Sequence, residues 1–283
     1  MIKKRVLVLG AEGMLGNAVF RYLRANKELD VVGTGRRSNT KFHFLDAETF
    51  GYEDFSTLVA QYNPSYIVNC IGYIRPAGET LEELKKSLRI NSLFPQNLAL
   101  GCTQHGVRFI HFSTDCVFSG NRGPYSEHAF SDETSIYGVS KFLGEVKSLP
   151  HLTIRTSIIG REFGTNRNLL DWFLSAEDSS IRGYTNVFWN GISTVTAAKI
   201  VERVISKDIV FDQSVIQIAS ETMSKYELLQ LFKAIYKKDV SIEPHDQAIS
   251  NKTLVPSNAQ ATYFSDLIPS LKEQILELKE FYE

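Results

Sequence analysis

Apolar residues along this chain alternate between two textures, short unbroken runs and longer stretches of helical period. Residues 6–9, 31–34, 66–71, 108–112, 152–157 and 214–219 are short runs dominated by aliphatic, β-branched and aromatic side chains. They predict strands, and their lack of strict polar alternation predicts burial on both faces. Residues 14–25, 93–104, 225–235 and 271–281 instead space their apolar positions by three and four, as amphipathic helices do. Asn63-Pro64 marks a turn before the third strand, and Ser224 is placed to cap the helix after it. Strands separated by helices predict an α/β fold with a parallel sheet covered on both sides.

Gly10, Gly13 and Gly16 stand between the first strand and the first helix, which Met14 and Leu15 open. Glycines at this spacing let the backbone turn tightly and approach a pyrophosphate, whose charge rests on the helix N-terminus. A preceding strand and a following helix are the context that a dinucleotide fingerprint requires. The expected architecture is therefore a Rossmann doubly wound parallel sheet with a smaller, discontinuous C-terminal α/β substrate domain. Residues 1–159 and about 192–220 fall to the dinucleotide-binding part, and about 160–191 and 221–283 to the other. The division follows a change of texture after Ile159, where Arg, Asn, Gly and aromatic residues become frequent.

Such folds commonly carry an acidic residue after the second strand, which binds the adenosine ribose. Here Thr34, Gly35, Arg36 and Arg37 occupy that place. Arginine suits a 2′-phosphate, so NADPH is expected over NADH, although adjacent arginines are also ordinary surface residues. Asp46, followed by Ala47, either meets the adenine amino group or caps the helix after it. Cys70, Ile71 and Gly72 end the third strand, where small residues let a cofactor pass the sheet edge.

Tyr137 and Lys141 lie four residues apart in a helical pattern and so share one face. A phenol has a reference pKa of about 10, and a neighbouring ammonium stabilises its phenolate. The pair can therefore exchange a proton near neutral pH. Ser113, Thr114 and Asp115 end the strand that begins near Arg108, at the sheet edge where open α/β folds bind ligands. A hydroxyl there can bond a substrate carbonyl; a plain strand-to-loop turn uses the same residue types.

Composition narrows the function further. The chain has 283 residues, 43% of them hydrophobic, enough for one large domain or two intimate ones. A formal net charge of −1 gives no support to nucleic acid or an anionic membrane as partner. Cys70, Cys102 and Cys116 have no metal-like spacing and fit reduced thiols. The six histidines are scattered, so no metal site is expected. The first apolar run is too short for a signal-peptide core, and no stretch reaches membrane-span length, so a cytoplasmic protein is expected.

Taken together, Gly10–Gly16, residues 69–72, 89–99, 112–120, 124–127, 136–145 and 154–157 resemble the extended short-chain dehydrogenase/reductase superfamily. The similarity is nearest to its dTDP-4-dehydrorhamnose reductase group, on Ser-Thr-Asp-x-Val-Phe at 113–118 and Pro-Tyr-x-Glu at 124–127. It covers most of residues 5–160. The resemblance implies Thr114 on the substrate oxygen, Tyr137 as proton donor, and Lys141 on the nicotinamide ribose, lowering the Tyr137 pKa. It also implies cofactor contacts at Asn91 and substrate contacts at Thr114, Asp115, Val117, Arg161, Trp189 and Asn190. The implied reaction is NADPH-dependent reduction of the 4-keto group of a nucleotide-linked 6-deoxysugar, in making deoxysugars for surface polysaccharide. A homodimer is compatible with it.

Leu9 replaces the Thr often found before the first glycine, and Cys116 replaces the usual aromatic. A dehydratase would need Glu where Cys116 stands, which disfavours that chemistry. An epimerase or epimerase-reductase of the GDP-fucose type pairs a Cys with a His; Cys116 sits one position from the matching cysteine, and no motif places the histidine. A reading of another class is a dinucleotide-binding regulatory subunit, like the β-subunit of methionine adenosyltransferase. Beyond residue 160 the match thins, leaving sugar and nucleotide open. Trp189 and Asn190 could equally be a packed loop, and Arg155 and Arg161 paired charges.

Overall fold

The computed structural model describes residues 3–36, 42–74, 80–162 and 168–283. The chain begins with β1 (Lys4–Leu9), α1 (Met14–Ala25), β2 (Leu29–Gly35), β3 (His43–Phe44), α2 (Asp54–Tyr62) and β4 (Tyr66–Asn69). There follow α3 (Leu81–Leu88), α4 (Phe94–His105), β5 (Arg108–Thr114), α5 (Ile136–Leu143), β6 (Leu152–Thr156) and β7 (Ile158–Ile159). The remainder comprises α6 (Leu169–Ser175), β8 (Ser180–Trp189), β9 (Ile192–Ser193), α7 (Thr194–Ser206), β10 (Val215–Gln217) and β11 (Met223–Ser224). Last come α8 (Lys225–Tyr236), β12 (Ser241–Asn251), α9 (Asn258–Tyr263) and α10 (Leu271–Tyr282).

Seven strands form one parallel sheet in the order β10-β6-β5-β4-β1-β2-β3. The chain starts in the middle, runs outward to β3, then returns to β4 on the other side of β1. This reversal leaves a crevice beyond the carboxyl ends of β1 and β4, the place where open α/β sheets bind ligands. The expected Rossmann architecture is thus present.

Strand runs without polar alternation do bury both faces. Val6 and Val8 point into one core with Val19, Leu23, Ile200 and Val201, under α1 and α7. Leu7 and Leu9 point into the other with Phe55, Leu58, Phe94 and Leu98, under α2 and α4. Each such side chain contributes roughly 1.5–3 kcal/mol of apolar burial. A third core lies between a smaller sheet, β11-β8-β12, and α6, α8 and α10, around Phe173, Phe232, Leu271 and Ile275. Most of its residues come from 160–191 and 221–283, but Ile159 and Val195, from segments placed with the dinucleotide-binding part, belong to it as well. Ala259 and Phe264, expected there, pack on the first core.

The helix expected at 93–104 is longer and interrupted. α3 and α4 are joined by a π-helical turn at Arg89–Leu93, so helical backbone runs from Leu81 to His105. Such turns rotate the side chains that follow them and recur at functional sites. This one turns Asn91 and Ser92 inward onto α5: Asn91 Nδ2 donates to Ser140 Oγ at 3.0 Å and Ser92 Oγ to the Ser140 carbonyl at 2.7 Å. Residues 160–191, assigned by sequence to the substrate part, contain α6 and β8. Among the described residues no helix is long and apolar enough to cross a membrane.

Candidate active site

The glycine loop is built for close approach. Gly10 has φ +78°, and a Cβ on Gly16 would lie 2.1 Å from the Gly10 carbonyl oxygen, a contact no side chain permits. Gly13 caps α1 without a side-chain hydrogen bond, so the first N–H groups of a twelve-residue helix meet no capping side chain. Backbone donors in that state, with the helix dipole behind them, suit a phosphate. Ile71 Cγ1 is 2.8 Å from the Cβ position of Gly10, so the end of β4 borders the loop. One step further, Lys141 Nζ is 4.0 Å from the Cβ position of Gly72. A continuous floor therefore runs from the glycine loop to α5, and its backbone donors and ammonium match a dinucleotide.

α5 carries Tyr137 and Lys141 and is pinned on two sides. Ser135 caps it, accepting from the Gly138 N–H at 3.3 Å. A Cβ on Gly138 would meet the Cys116 carbonyl oxygen at 2.3 Å, so glycine lets the helix press against the turn after β5. That contact brings Tyr137 to Thr114. Thr114 caps the short 3₁₀ turn Asp115–Val117, its Oγ1 accepting from the Cys116 N–H at 3.1 Å and donating to Asp115 Oδ1 at 3.1 Å.

Burial dominates the electrostatics. It raises the Tyr137 pKa well above that of a free phenol, with nearby Cys116 and Asp115 adding to the rise and the Thr114 hydroxyl opposing it. The same cause brings Lys141 down to about 8, while Glu145 and Cys70 pull it upward. The expected lowering of Tyr137 by Lys141 is not the governing effect in the free protein. Lys141 Nζ donates instead to the Phe112 carbonyl at 2.7 Å, and desolvation of the phenol prevails. Asp115 is also raised by burial, and Cys116 is pushed up to about 12, chiefly by burial and then by Asp115. At neutral pH the thiol is a proton-bearing group.

Behind the site lies a buried ion pair. Arg155 Nε and Nη2 donate to the two oxygens of Glu145 at 2.9 and 2.7 Å, and Ser113 Oγ donates to Glu145 at 2.8 Å. Glu145 faces Lys141 as well, so the pair ties β5, β6 and the end of α5 together. Arg155 and Arg161 are both paired charges: Arg161 Nε donates to Asp171 Oδ1 at 2.6 Å.

Several residues expected to touch ligands are committed to the scaffold. Asn91 holds the backbone of Tyr73 at both ends, accepting from its N–H at 2.8 Å and donating to its carbonyl at 3.0 Å. Asn190 does the same for Leu254, donating at 2.8 Å and accepting at 3.0 Å, so its amide joins β8 to the segment after β12. Trp189 is buried, its Nε1 donating to Ser157 Oγ at 2.8 Å, and Val117 is fully buried. Asp46 accepts from the Glu48 N–H at 2.9 Å in a turn well before α2, whose N-cap is Glu53, and Ala47 is buried in the second core. Met14 Cγ lies 2.8 Å from the Cβ position of Gly160, and Leu15 is buried in the first core. Arg36 is exposed at the end of β2, while Arg37 lies outside the described residues.

Two lysines that no motif marks come from the second unit. Lys225, the first residue of α8, sits 5.1 Å over the Trp189 ring and faces Asp115 and Cys116; burial lowers its pKa. Lys252 donates to Glu133 at 2.9 Å and also faces Cys116. The usable signal for Lys225 was its capping box: Ser224 and Glu227 cap each other's backbone and fix where α8 starts. Pro-Tyr-x-Glu turns out to organise a loop. Tyr125 Oη accepts from the Gly120 and Arg122 N–H groups, both at 3.1 Å, and its ring stacks on Phe118.

The fold has counterparts among known proteins. The dTDP-4-dehydrorhamnose reductase of Bacillus anthracis, solved in complex with NADP, superposes with a TM-score of 0.81 at 20% identity, over 99% of each chain. A dTDP-4-keto-6-deoxy-D-glucose reductase of Streptomyces niveus is 34% identical over 142 residues, 50% of this chain and 46% of its own. The methionine adenosyltransferase 2 subunit beta of Danio rerio is 32% identical over 149 residues, 52% of this chain and 44% of its own. The chain thus spans about half the length of the curated relatives it matches. The RmlD substrate binding domain family matches residues 4–265, nearly the whole length, and the chain belongs to that family.

Proposed function

We propose that this chain reduces the 4-keto group of a nucleotide-linked 6-deoxysugar to a hydroxyl. The carrying observation is the meeting of Thr114, Tyr137 and Lys141 at the carboxyl end of β5, joined to the glycine loop by the floor at Ile71 and Gly72. A nicotinamide dinucleotide, when bound, supplies the hydride; NADPH is the donor proposed, on the basic end of β2 at Arg36. Glycine-loop donors hold its diphosphate, and Lys141 holds the ribose nearest the chemistry. Thr114 turns its hydroxyl to the substrate oxygen. Tyr137, kept protonated by burial, gives its proton to the alkoxide as it forms. Lys225, beside the reacting end, is suited to an anionic group of the sugar nucleotide.

Reduction without epimerisation is the favoured chemistry. A thiol pushed up to about 12 is a poor base at neutral pH, and His111 is fully buried and held neutral, chiefly by desolvation. The proposal is tested by adding purified protein and NADPH to dTDP-, UDP- and GDP-linked 4-keto-6-deoxyhexoses and following dinucleotide oxidation in the near ultraviolet. Turnover with one of them supports it. Loss of a deuterium label from the carbons beside the ketone would instead indicate an epimerase-reductase. A second reading, a dinucleotide-binding partner subunit, draws on the resemblance to the methionine adenosyltransferase β-subunit. Tight dinucleotide binding, no turnover and a co-purifying protein would favour it.

The lowered pKa of Lys141 sets a pH profile. Its ammonium is charged below about 8 and lost above it, where Tyr137 still keeps its proton. For reduction, kcat/KM should therefore fall as pH rises through about 8. That parameter reports the free protein's ionisations. A flat profile to pH 10 would remove Lys141 from the mechanism.

A further inference from the structure

β2 ends in Thr34-Gly35-Arg36, without the carboxylate that dinucleotide sites place against the adenosine ribose. In the folded chain another residue brings one there. Glu12, between Gly10 and Gly13, folds across the end of β2, and its Oε2 accepts from the Arg36 N–H at 3.2 Å. The same oxygen lies 2.5 Å from where a Cβ on Gly35 would stand, so the carboxylate rests on the strand backbone in space that only glycine leaves open. Ala11, its neighbour, is fixed by a 2.8 Å hydrogen bond from its N–H to the Thr34 carbonyl, which sets the loop against β2. Glu12 thus stands between the phosphate-binding glycines and the strand end, the position an adenosine ribose occupies in this architecture.

We infer that Glu12 is the ribose-binding carboxylate of this site, delivered from the glycine loop, and that it makes the chain accept NADH alongside NADPH. The inference rests on the dinucleotide reading above. A carboxylate accepts from the two ribose hydroxyls of NADH, and its charge opposes the 2′-phosphate of NADPH. Arg36, exposed just after the end of β2, favours that phosphate. The two residues act in opposite directions, which also accounts for a basic strand end in a site open to both donors.

The test is equilibrium binding, read from the fluorescence of NADH and NADPH as each is titrated into the protein. Glu12→Gln keeps the acceptor for the Arg36 N–H and removes the charge. It should shift the ratio of the two dissociation constants toward NADPH by about tenfold or more, the scale of one charged hydrogen bond. Arg36→Ser, at an exposed position, should shift it the opposite way. In the unaltered protein, 5′-AMP and 2′,5′-ADP should displace NADH with affinities within about tenfold of each other. An unchanged ratio in Glu12→Gln with binding intact, or far tighter binding of 2′,5′-ADP by the unaltered chain, overturns the role of Glu12 alone. Failure to bind either dinucleotide overturns the cofactor reading and the inference with it.

Discussion

Tyr137→Phe should lower turnover by about 10²–10⁴-fold, the usual contribution of a positioned general acid, while leaving dinucleotide affinity nearly intact. The substitution removes one oxygen and keeps the ring that fills its place on α5. Gly138 still seats the helix against the Cys116 carbonyl, and Ser135 still caps it, so Thr114 and Lys141 keep their positions. What disappears is the proton that burial holds on the phenol at neutral pH. Steady-state rates with a 4-keto sugar nucleotide, together with dinucleotide titration, separate the two quantities. Activity retained within a few-fold would assign the proton to another donor, with Thr114 the first to examine.

Arg155→Met should cost roughly 3–5 kcal/mol of stability, the penalty for leaving a buried charge without its partner. Arg155 and Glu145 are 4% and 0% exposed at the side chain, and among the described residues Glu145 would keep Ser113 as its near hydrogen-bond donor. Urea unfolding would measure the loss. The double change Glu145→Leu with Arg155→Met should recover much of it, because an apolar pair of similar volume carries no desolvation cost. Glu145 has a second effect that stability does not report. Its charge raises the pKa of Lys141, so Glu145→Gln should move the alkaline limb of kcat/KM below about 8. A limb that stays in place, in a variant that still folds, would show that the ion pair serves the scaffold alone.

Much of the fold could be read from local pattern. The helix at 14–25 has those bounds in the structure, and six of the seven sheet strands coincide with the short apolar runs. β3 carries little burial signal, because both of its residues are exposed. β12 escaped the pattern for a related reason: it is largely exposed, contains Pro244, and pairs with β8 across a register shift between His245 and Ile249. The π turn at Arg89–Leu93 escaped because its residues follow helical spacing on both sides, and only the inserted residue breaks it. In the site, the glycine loop and the Tyr137–Lys141 spacing were legible, since each is a local arrangement within one turn or helix. Asn190, by contrast, was read as a candidate substrate contact, and its partner Leu254 is 64 residues away.

The sequence by itself determined the alternation of strand and helix, the glycine loop that opens α1, and the helix face shared by Tyr137 and Lys141. These depend on neighbours within a few residues, where backbone geometry dictates who meets whom. Only the tertiary structure decided which polar groups are spent on each other. It committed Asn91 to Tyr73 and Arg155 to Glu145, brought Lys225 to Asp115, and set Glu12 on the end of β2. A buried polar group must find a partner, and the sheet order chooses that partner from segments remote in the chain.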